Sequence, residues 1–192
     1  PQKQFAVAAA RHDWVLCVDS DERVTPDLAT AIEEALAAPV AGAYRFARSN
    51  RFMGRYLRHG EGYPDWSLRL FDRRQARWSD DAVHEKVLYP GEPATLAGDL
   101  LHDTEETLES YIAKQNRYTT LAARQAVAAG KRAGAARMLA SPVLRFVKFY
   151  FFRGGFLDGL PGFVHISVGC FNSFLKYAKI QAFMREGARE DK

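Results

Sequence analysis

A chain of 192 residues in which 47% are hydrophobic and 26% charged can bury a real core, which excludes a disordered or low-complexity protein and fits one ordinary domain, or a domain with a helical appendage. The formal net charge of +4 favours anionic surfaces but falls short of a dedicated nucleic-acid binder, so no nucleic-acid partner is expected. Cys17 and Cys170 lie far apart without metal or disulfide-framework spacing, which points to a reducing compartment. The sequence opens Pro-Gln-Lys-Gln with neither Met nor a signal-type apolar run, so secretion is not indicated and a fragment is expected.

Residues 13–18 form a short apolar run of the kind found in buried parallel strands, and it ends abruptly in Asp19-Ser20-Asp21-Glu22. Thr25 as N-cap, Pro26 at the first helical position and Asp27 in the first turn predict a helix to about Ala37, with Leu28, Ile32 and Leu36 on one face. Strand followed by helix is an α/β signature. From Gly42 to about Leu101 the pattern changes to short β-type pieces at residues 44–47, 67–71, 83–88 and 94–101. A long helix is predicted over 104–129, opened by Asp103 with Glu106 as a capping-box pair and closed by Gly130. Its apolar face includes Leu108, Tyr111, Ile112, Tyr118 and Ala122. The small-residue stretch 126–140 is a joint.

Chemistry concentrates in two places. Asp19-Ser20-Asp21 after a strand lets one or two carboxylates approach a hard divalent cation, Mg²⁺ or Mn²⁺, that also takes phosphate oxygens. That suits sugar transfer from a nucleotide diphosphate, with Asp19 and Asp21 as metal ligands; the competing reading is an acidic turn, although Thr25 already caps the helix. Residues 50–85 are rich in groups that contact sugars, among them Asn50, His59, Tyr63 and Trp66 as acceptor contacts. An inverting transfer needs a carboxylate to take the acceptor hydroxyl's proton. Glu85, in the predicted strand 83–88, is the first choice, with Asp81 and Asp65 in reserve. His84 reads as a metal ligand, an orienting donor to phosphate or a structural histidine, and Arg69 as facing the cleft or solvent. A metallohydrolase built on His59, His84 and His102 lacks the short spacing of strong zinc motifs.

The segments Asp13-Trp-Val-Leu-Cys-Val-Asp-Ser-Asp-Glu22, Gly62-Tyr-Pro-Asp-Trp-Ser-Leu-Arg-Leu-Phe71 and Val83-His-Glu85 resemble the family 2 glycosyltransferases, and most of all the lipopolysaccharide core β-1,4-glucosyltransferases. Tyr111-Ile-Ala-Lys-Gln-Asn-Arg-Tyr118 and Gly154-Gly-Phe-Leu-Asp-Gly-Leu-Pro-Gly-Phe163 resemble that subgroup too, so the likeness covers nearly the whole chain. It implies a GT-A fold, a nucleotide-sugar donor (UDP-glucose in the subgroup) bound near Asp19, Asp21 and Arg69, a divalent metal at Asp19 and Asp21, and inversion at the anomeric carbon. In that family the βα units ahead of the Asp-X-Asp hold uracil and ribose. The expectation is therefore an α/β, incomplete GT-A (Rossmann-like) domain over residues 1–101, lacking its N-terminal nucleotide-binding units, and a helical, aromatic and basic membrane-proximal region over 102–192.

Within that region Leu144, Val147 and Phe151 share one helical face from which Arg145 and Lys148 reach outward, a pattern suited to the headgroup boundary. Residues 159–175 carry no Lys, Arg, Asp or Glu, yet Pro161, several glycines, His165, Asn172 and Ser173 make them a poor spanning helix. The alternative is that the aromatics form the core of a helical cap. Asp158 reads as a turn or cap. These features predict a hexosyltransferase with a lipid-linked saccharide acceptor such as the lipopolysaccharide inner core, cytoplasmic and peripheral on the inner face of a bacterial inner membrane. Alternatives are a polyprenyl phosphate or capsular acceptor, or an inactive membrane-associated remnant.

Overall fold

The computed structural model describes residues 2–79, 85–104 and 107–190, with side chains to residue 186. The chain divides into two compact units, Pro1–Arg51 with Tyr63–Thr104, and Phe52–Gly62 with Glu105–Lys192. Residues 52–62 thus group with the C-terminal helices.

In the first unit Thr25 sets the start of helix α2 (Pro26–Ala37): its Oγ1 accepts from the Leu28 N–H, while Pro26 stands where no donor is needed. The same hydroxyl donates to the carbonyl of Asp99 at 2.8 Å and accepts from the Asp99 N–H at 3.2 Å. The cap thereby ties α2 to strand β8 (Ala94–His102). Gly98 makes this approach possible. Its φ is +86°, and a Cβ there would lie 2.4 Å from the Leu28 nitrogen.

The sheet runs in the order β1 (Trp14–Leu16), β5 (Asp65–Asp72), β3 (Ala43–Phe52), β8, β2 (Glu22–Val24). β3 and β8 are parallel and the other neighbours antiparallel. The strand ahead of the acidic turn therefore departs from the expected buried parallel strand. It pairs antiparallel with β5, from Trp14↔Asp72 to Leu16↔Leu70, at one end of this strand order. An apolar run reports a tendency to be buried and carries no information about the direction of its partner.

β3 and β5 extend beyond the predicted 44–47 and 67–71 because polar residues continue them. Tyr44 and Phe46 face the core, and Arg48 and Asn50 continue the same two-residue period into polar surroundings. Leu28 and Ile32 of α2 pack with Tyr44, Phe46, Leu70 and Leu100 in one cluster. A second joins Val7 of α1 (Gln2–Ala9) to Ala43, Phe71, Ala76 and Trp78. Tyr44, Phe46, Phe71, Leu28, Leu70 and Leu100 are almost wholly removed from water, each worth about 1.5–3 kcal/mol. β6 (Arg77–Trp78) and β7 (Val87–Leu88) make a separate antiparallel pair. β7 is what the described residues hold of the predicted strand 83–88; residues 80–84 lie outside them.

In the second unit the chain turns at Met53-Gly54, both with positive φ, into β4 (Arg55–Tyr56). The helices are α3 (Leu108–Ala128), α4 (Ala135–Phe146) and α5 (Gly159–Glu190). Thr107, rather than the expected Asp103, caps α3, its hydroxyl accepting from the Ser110 N–H at 3.2 Å. Asp103 instead donates its N–H to the Asp21 carbonyl in the first unit, and Glu106, its expected box partner, lies outside the described residues. The buried face of α3 is also rotated from the predicted one. Thr119 and Ala123 are buried, whereas Leu108, Ile112 and Tyr118 are exposed. The reason is a polar dock, in which Lys179 of α5 donates to Asn116 and to the hydroxyls of Thr119 and Thr120 at 2.6–2.9 Å.

Gly130, with φ +69°, closes α3 as expected. Pro142 removes an N–H inside α4, and the helix widens into a π-type turn over Val147–Phe152. Leu144, Val147 and Phe151 are exposed along this segment, while the rings of Phe146, Tyr150, Phe156 and Phe163 pack on one another with centroids 4.9–6.1 Å apart. Among the described residues no helix is long and apolar enough to cross a membrane.

His165 on α5 is enclosed by the rings of Phe52 and Tyr111, with centroids at 5.2 and 5.9 Å. Its buried Nδ1 has no partner among the described residues. Burial, reinforced by the charge of Arg145 and opposed by Asp158, pushes its pKa down to about 4. The unfolded chain takes up this proton near pH 6.5. Between pH 6.5 and 4 the unfolded state therefore binds a proton that the folded state refuses, and stability falls as the pH drops through that window, by roughly 2–3 kcal/mol. Urea midpoints at pH 7 and pH 4.5 are expected to show the loss in the native protein, and His165→Phe is expected to remove most of it.

Candidate functional site

The ends of β1, β2, β3, β5 and β8 bring together residues far apart in sequence. Arg69 on β5 donates through Nη2 to Asp19 Oδ2 and Glu22 Oε1, each at 2.9 Å. Lys3 on α1 reaches Asp19 Oδ1 at 2.9 Å, and the Asp19 N–H donates to Glu22 Oε2. The Glu22 side chain is 0% exposed. It is the centre of the arrangement, since Arg48 also approaches it, at 3.4 Å. A buried carboxylate persists only when its charge is met in this way.

Arg48 forks onto Asp65 Oδ2 through Nε at 2.9 Å and Nη2 at 2.7 Å, and Asn50 Nδ2 adds a longer contact at 3.4 Å. Asn50 Oδ1 lies 2.7 Å from His102 Nδ1, and His102 Nε2 lies 3.2 Å from Asp21 Oδ2. One continuous polar chain therefore links Lys3 and Asp19 to Asp21. Burial pushes the Asp19 carboxyl up, but Lys3 and Arg69 outweigh it and hold it below the usual range. Asp19 is ionised at neutral pH.

A cavity of about 330 Å³ opens beside this chain, lined among the described residues by Lys3, Arg48, Arg69 and Lys86 as cations, by the carboxylate of Glu85, and by Trp66 and Trp78 as aromatic walls. Lys3 and Arg69 lie over the Trp78 ring at 4.8 and 5.7 Å, and Arg45 lies over Trp66 at 5.5 Å. Cations held on aromatic faces make a wall that suits an anionic ligand bearing a sugar. Next to Glu85, Ser79 and Lys86 exchange hydrogen bonds: Ser79 N–H to the Lys86 carbonyl, and Lys86 N–H to Ser79 Oγ.

The expected site residues fall as follows. Asp19 and Arg69 touch each other, Asp21 sits on the outer side against His102, and Glu85 and Trp66 line the cavity. Asp65 is engaged by Arg48 and Asn50. The Tyr63 hydroxyl donates to Asp99 Oδ1 at 2.8 Å. His59 belongs to the second unit, where Asp158 holds it. Asp81 and His84 lie outside the described residues. Lys3, Arg48, Lys86 and the central role of Glu22 had no counterpart in the sequence-based expectations. The signal for Arg48 was its two-residue step from Phe46, which carries a core-facing strand into a polar cleft.

Among the described residues no three His, Cys, Asp or Glu side chains converge as a metal cage. A Mg²⁺-type ion of nucleotide chemistry needs none, because it is held by one or two carboxylates, waters and substrate phosphates. Asp19 is ionised, with its carboxylate met by Lys3 and Arg69, and Asp21 is exposed beside His102.

No family model matches the sequence. The lipopolysaccharide core biosynthesis glycosyltransferase LpsC of Rhizobium meliloti is 33% identical over 183 residues, which cover 93% of this chain and 67% of the relative. The chain belongs to the glycosyltransferases. Uncharacterized glycosyltransferases of Rickettsia typhi and Rickettsia prowazekii are each 26% identical, covering 94% of this chain and 66% of theirs. The chain thus spans about two thirds of the length of these curated relatives. For a glycosyltransferase the cavity's balance of charge is chemically apt, because a nucleotide-sugar donor is an anion and its transferred part is a sugar.

Proposed function

We propose that this glycosyltransferase moves a hexose, glucose from UDP-glucose, onto a lipid-linked saccharide of the lipopolysaccharide inner core with inversion at the anomeric carbon. The observation that carries this is the cavity in which four cations and two tryptophans surround Glu85. The name of the Rhizobium relative supports the lipopolysaccharide acceptor.

Asp19 and Asp21 are the residues that would hold a Mg²⁺ or Mn²⁺ ion, which when bound neutralises the diphosphate's charge as it leaves. Lys3, Lys86 and Arg69 hold donor phosphate oxygens, and Trp66 offers its face to the acceptor sugar. Glu85 takes the proton of the acceptor hydroxyl as that oxygen attacks the anomeric carbon on the side opposite the leaving diphosphate, and this direction of attack inverts the centre. A lipid-linked acceptor places the enzyme on the inner leaflet. The outward Leu144, Val147 and Phe151 and the neighbouring Lys148 support that placement.

Transfer of labelled glucose from UDP-glucose to lipopolysaccharide core acceptor tests the assignment. EDTA is expected to abolish transfer and Mn²⁺ to restore it, and Asp21→Ala is expected to lower it by roughly 100-fold or more. Transfer that ignores EDTA, or an Asp21→Ala protein with native activity, sinks the metal assignment.

A further inference from the structure

The second unit holds a groove that the transfer chemistry does not use. A cavity of about 810 Å³ opens between the C-terminal half of α3, the turn at residues 129–134, the first turn of α4, and α5. Lys131, Arg132, Arg137 and Lys176 supply its charge, and among the described residues no Asp or Glu lines it. None of the four forms an ion pair with a carboxylate among the described residues.

Two of these cations are fixed in place. Arg137 and Lys176 lie against the ring of Tyr177, at 5.9 and 4.7 Å from its centroid. The turn carrying Lys131 and Arg132 is pinned by a hydrogen bond from Gln181 Nε2 to the Ala133 carbonyl. α4 begins at this turn with Gly134 as its N-cap and no side chain capping it, so the helix's partial positive charge adds to theirs. A shallower depression of about 370 Å³ shares Arg137 and Tyr177 and continues along α4 to Lys148 and Leu144. Leu144 is 68% exposed, and Val143 and Phe151 extend the same apolar surface. A cationic groove therefore runs directly into an apolar face.

The geometry points to a binding site for the phosphate of a membrane amphiphile, its head group among Lys131, Arg132, Arg137 and Lys176 and its acyl chains along Leu144 and Phe151. Charge complementarity selects a phosphate with net negative charge over a zwitterionic head group. The adjoining apolar face selects a lipid over the free anion. The site does not depend on sugar transfer, and a binding measurement without donor separates its failure from a failure of the proposed activity.

Calorimetry with short-chain phosphatidic acid below its micelle concentration, short-chain phosphatidylcholine and inorganic phosphate tests it without the general attraction of a charged bilayer. Phosphatidic acid is expected to bind at least roughly tenfold tighter than either of the others. The triple variant Lys131→Gln/Arg132→Gln/Lys176→Gln is expected to lose at least tenfold in affinity. A charge-matched control on α3, Lys114→Gln/Arg117→Gln/Arg124→Gln, is expected to lose less than about threefold. Lys131 and Arg132 are exposed, so an unchanged melting temperature is expected to show that the groove variant folds. Equal losses in both variants, no loss in the groove variant, or equal affinity for phosphatidylcholine overturns the site. Inorganic phosphate binding as tightly as phosphatidic acid overturns its assignment to a lipid.

Discussion

Glu85→Gln is expected to lower the turnover of sugar transfer by roughly 10²–10⁴-fold while leaving donor affinity and melting temperature close to those of the native protein. Glutamine keeps the volume of the side chain and its ability to accept a hydrogen bond from the acceptor hydroxyl. It loses the negative charge and with it the ability to take the proton. The cationic lining that meets the donor, Lys3, Arg69 and Lys86, is untouched, so KM for the donor is expected to hold. Asp65 is the internal comparison. Its carboxylate already receives the Arg48 fork and Asn50, so Asp65→Asn is expected to disturb the position of Arg48 and to change KM and stability together. A Glu85→Gln enzyme that keeps a third or more of its turnover moves the base elsewhere, with Asp81 the next residue to replace.

How much of this was legible from sequence differs from element to element. α2 was, down to its first residue, because Thr25, Pro26 and Asp27 each act locally and the packing of Leu28 and Ile32 agrees with them. α3 was legible as a helix but not in its start or its buried face. Thr107 and Asp103 are both chemically competent caps, and which one is used depends on where Asp103 is held by the sheet. The buried face depends on Lys179, a residue 60 positions from Thr119 and visible to no local period. At the candidate site the acidic turn was legible because four polar residues break an apolar run. The pairing of Arg69 with Asp19 and Glu22 was not, since it arises from strand neighbours that only the fold brings together. The antiparallel pairing of β1 belongs to the same class of information.

Asp158→Ala is expected to destabilise the second unit by about 3–4 kcal/mol, the largest effect on stability of any single change considered. Asp158 is 1% exposed. Its Oδ2 accepts from the backbone N–H groups of Arg58 at 2.9 Å and His59 at 2.8 Å, its Oδ1 lies 3.2 Å from His59 Nδ1, and Arg55 stands at 3.9 Å. One carboxylate thus pins the segment that follows β4 to the start of α5. Alanine leaves two backbone donors without an acceptor, each at about 1–3 kcal/mol, and a cationic neighbourhood without its counter-charge. Asparagine retains one oxygen that both N–H groups can share, so Asp158→Asn is expected to cost about half as much. Urea denaturation followed by circular dichroism orders the three proteins. The same measurement bears on His59, which the sequence suggests as an acceptor contact. If its role is confined to Asp158, His59→Ala lowers stability by about 1 kcal/mol and leaves KM for the acceptor unchanged, whereas a raised KM with little loss of stability returns His59 to the acceptor.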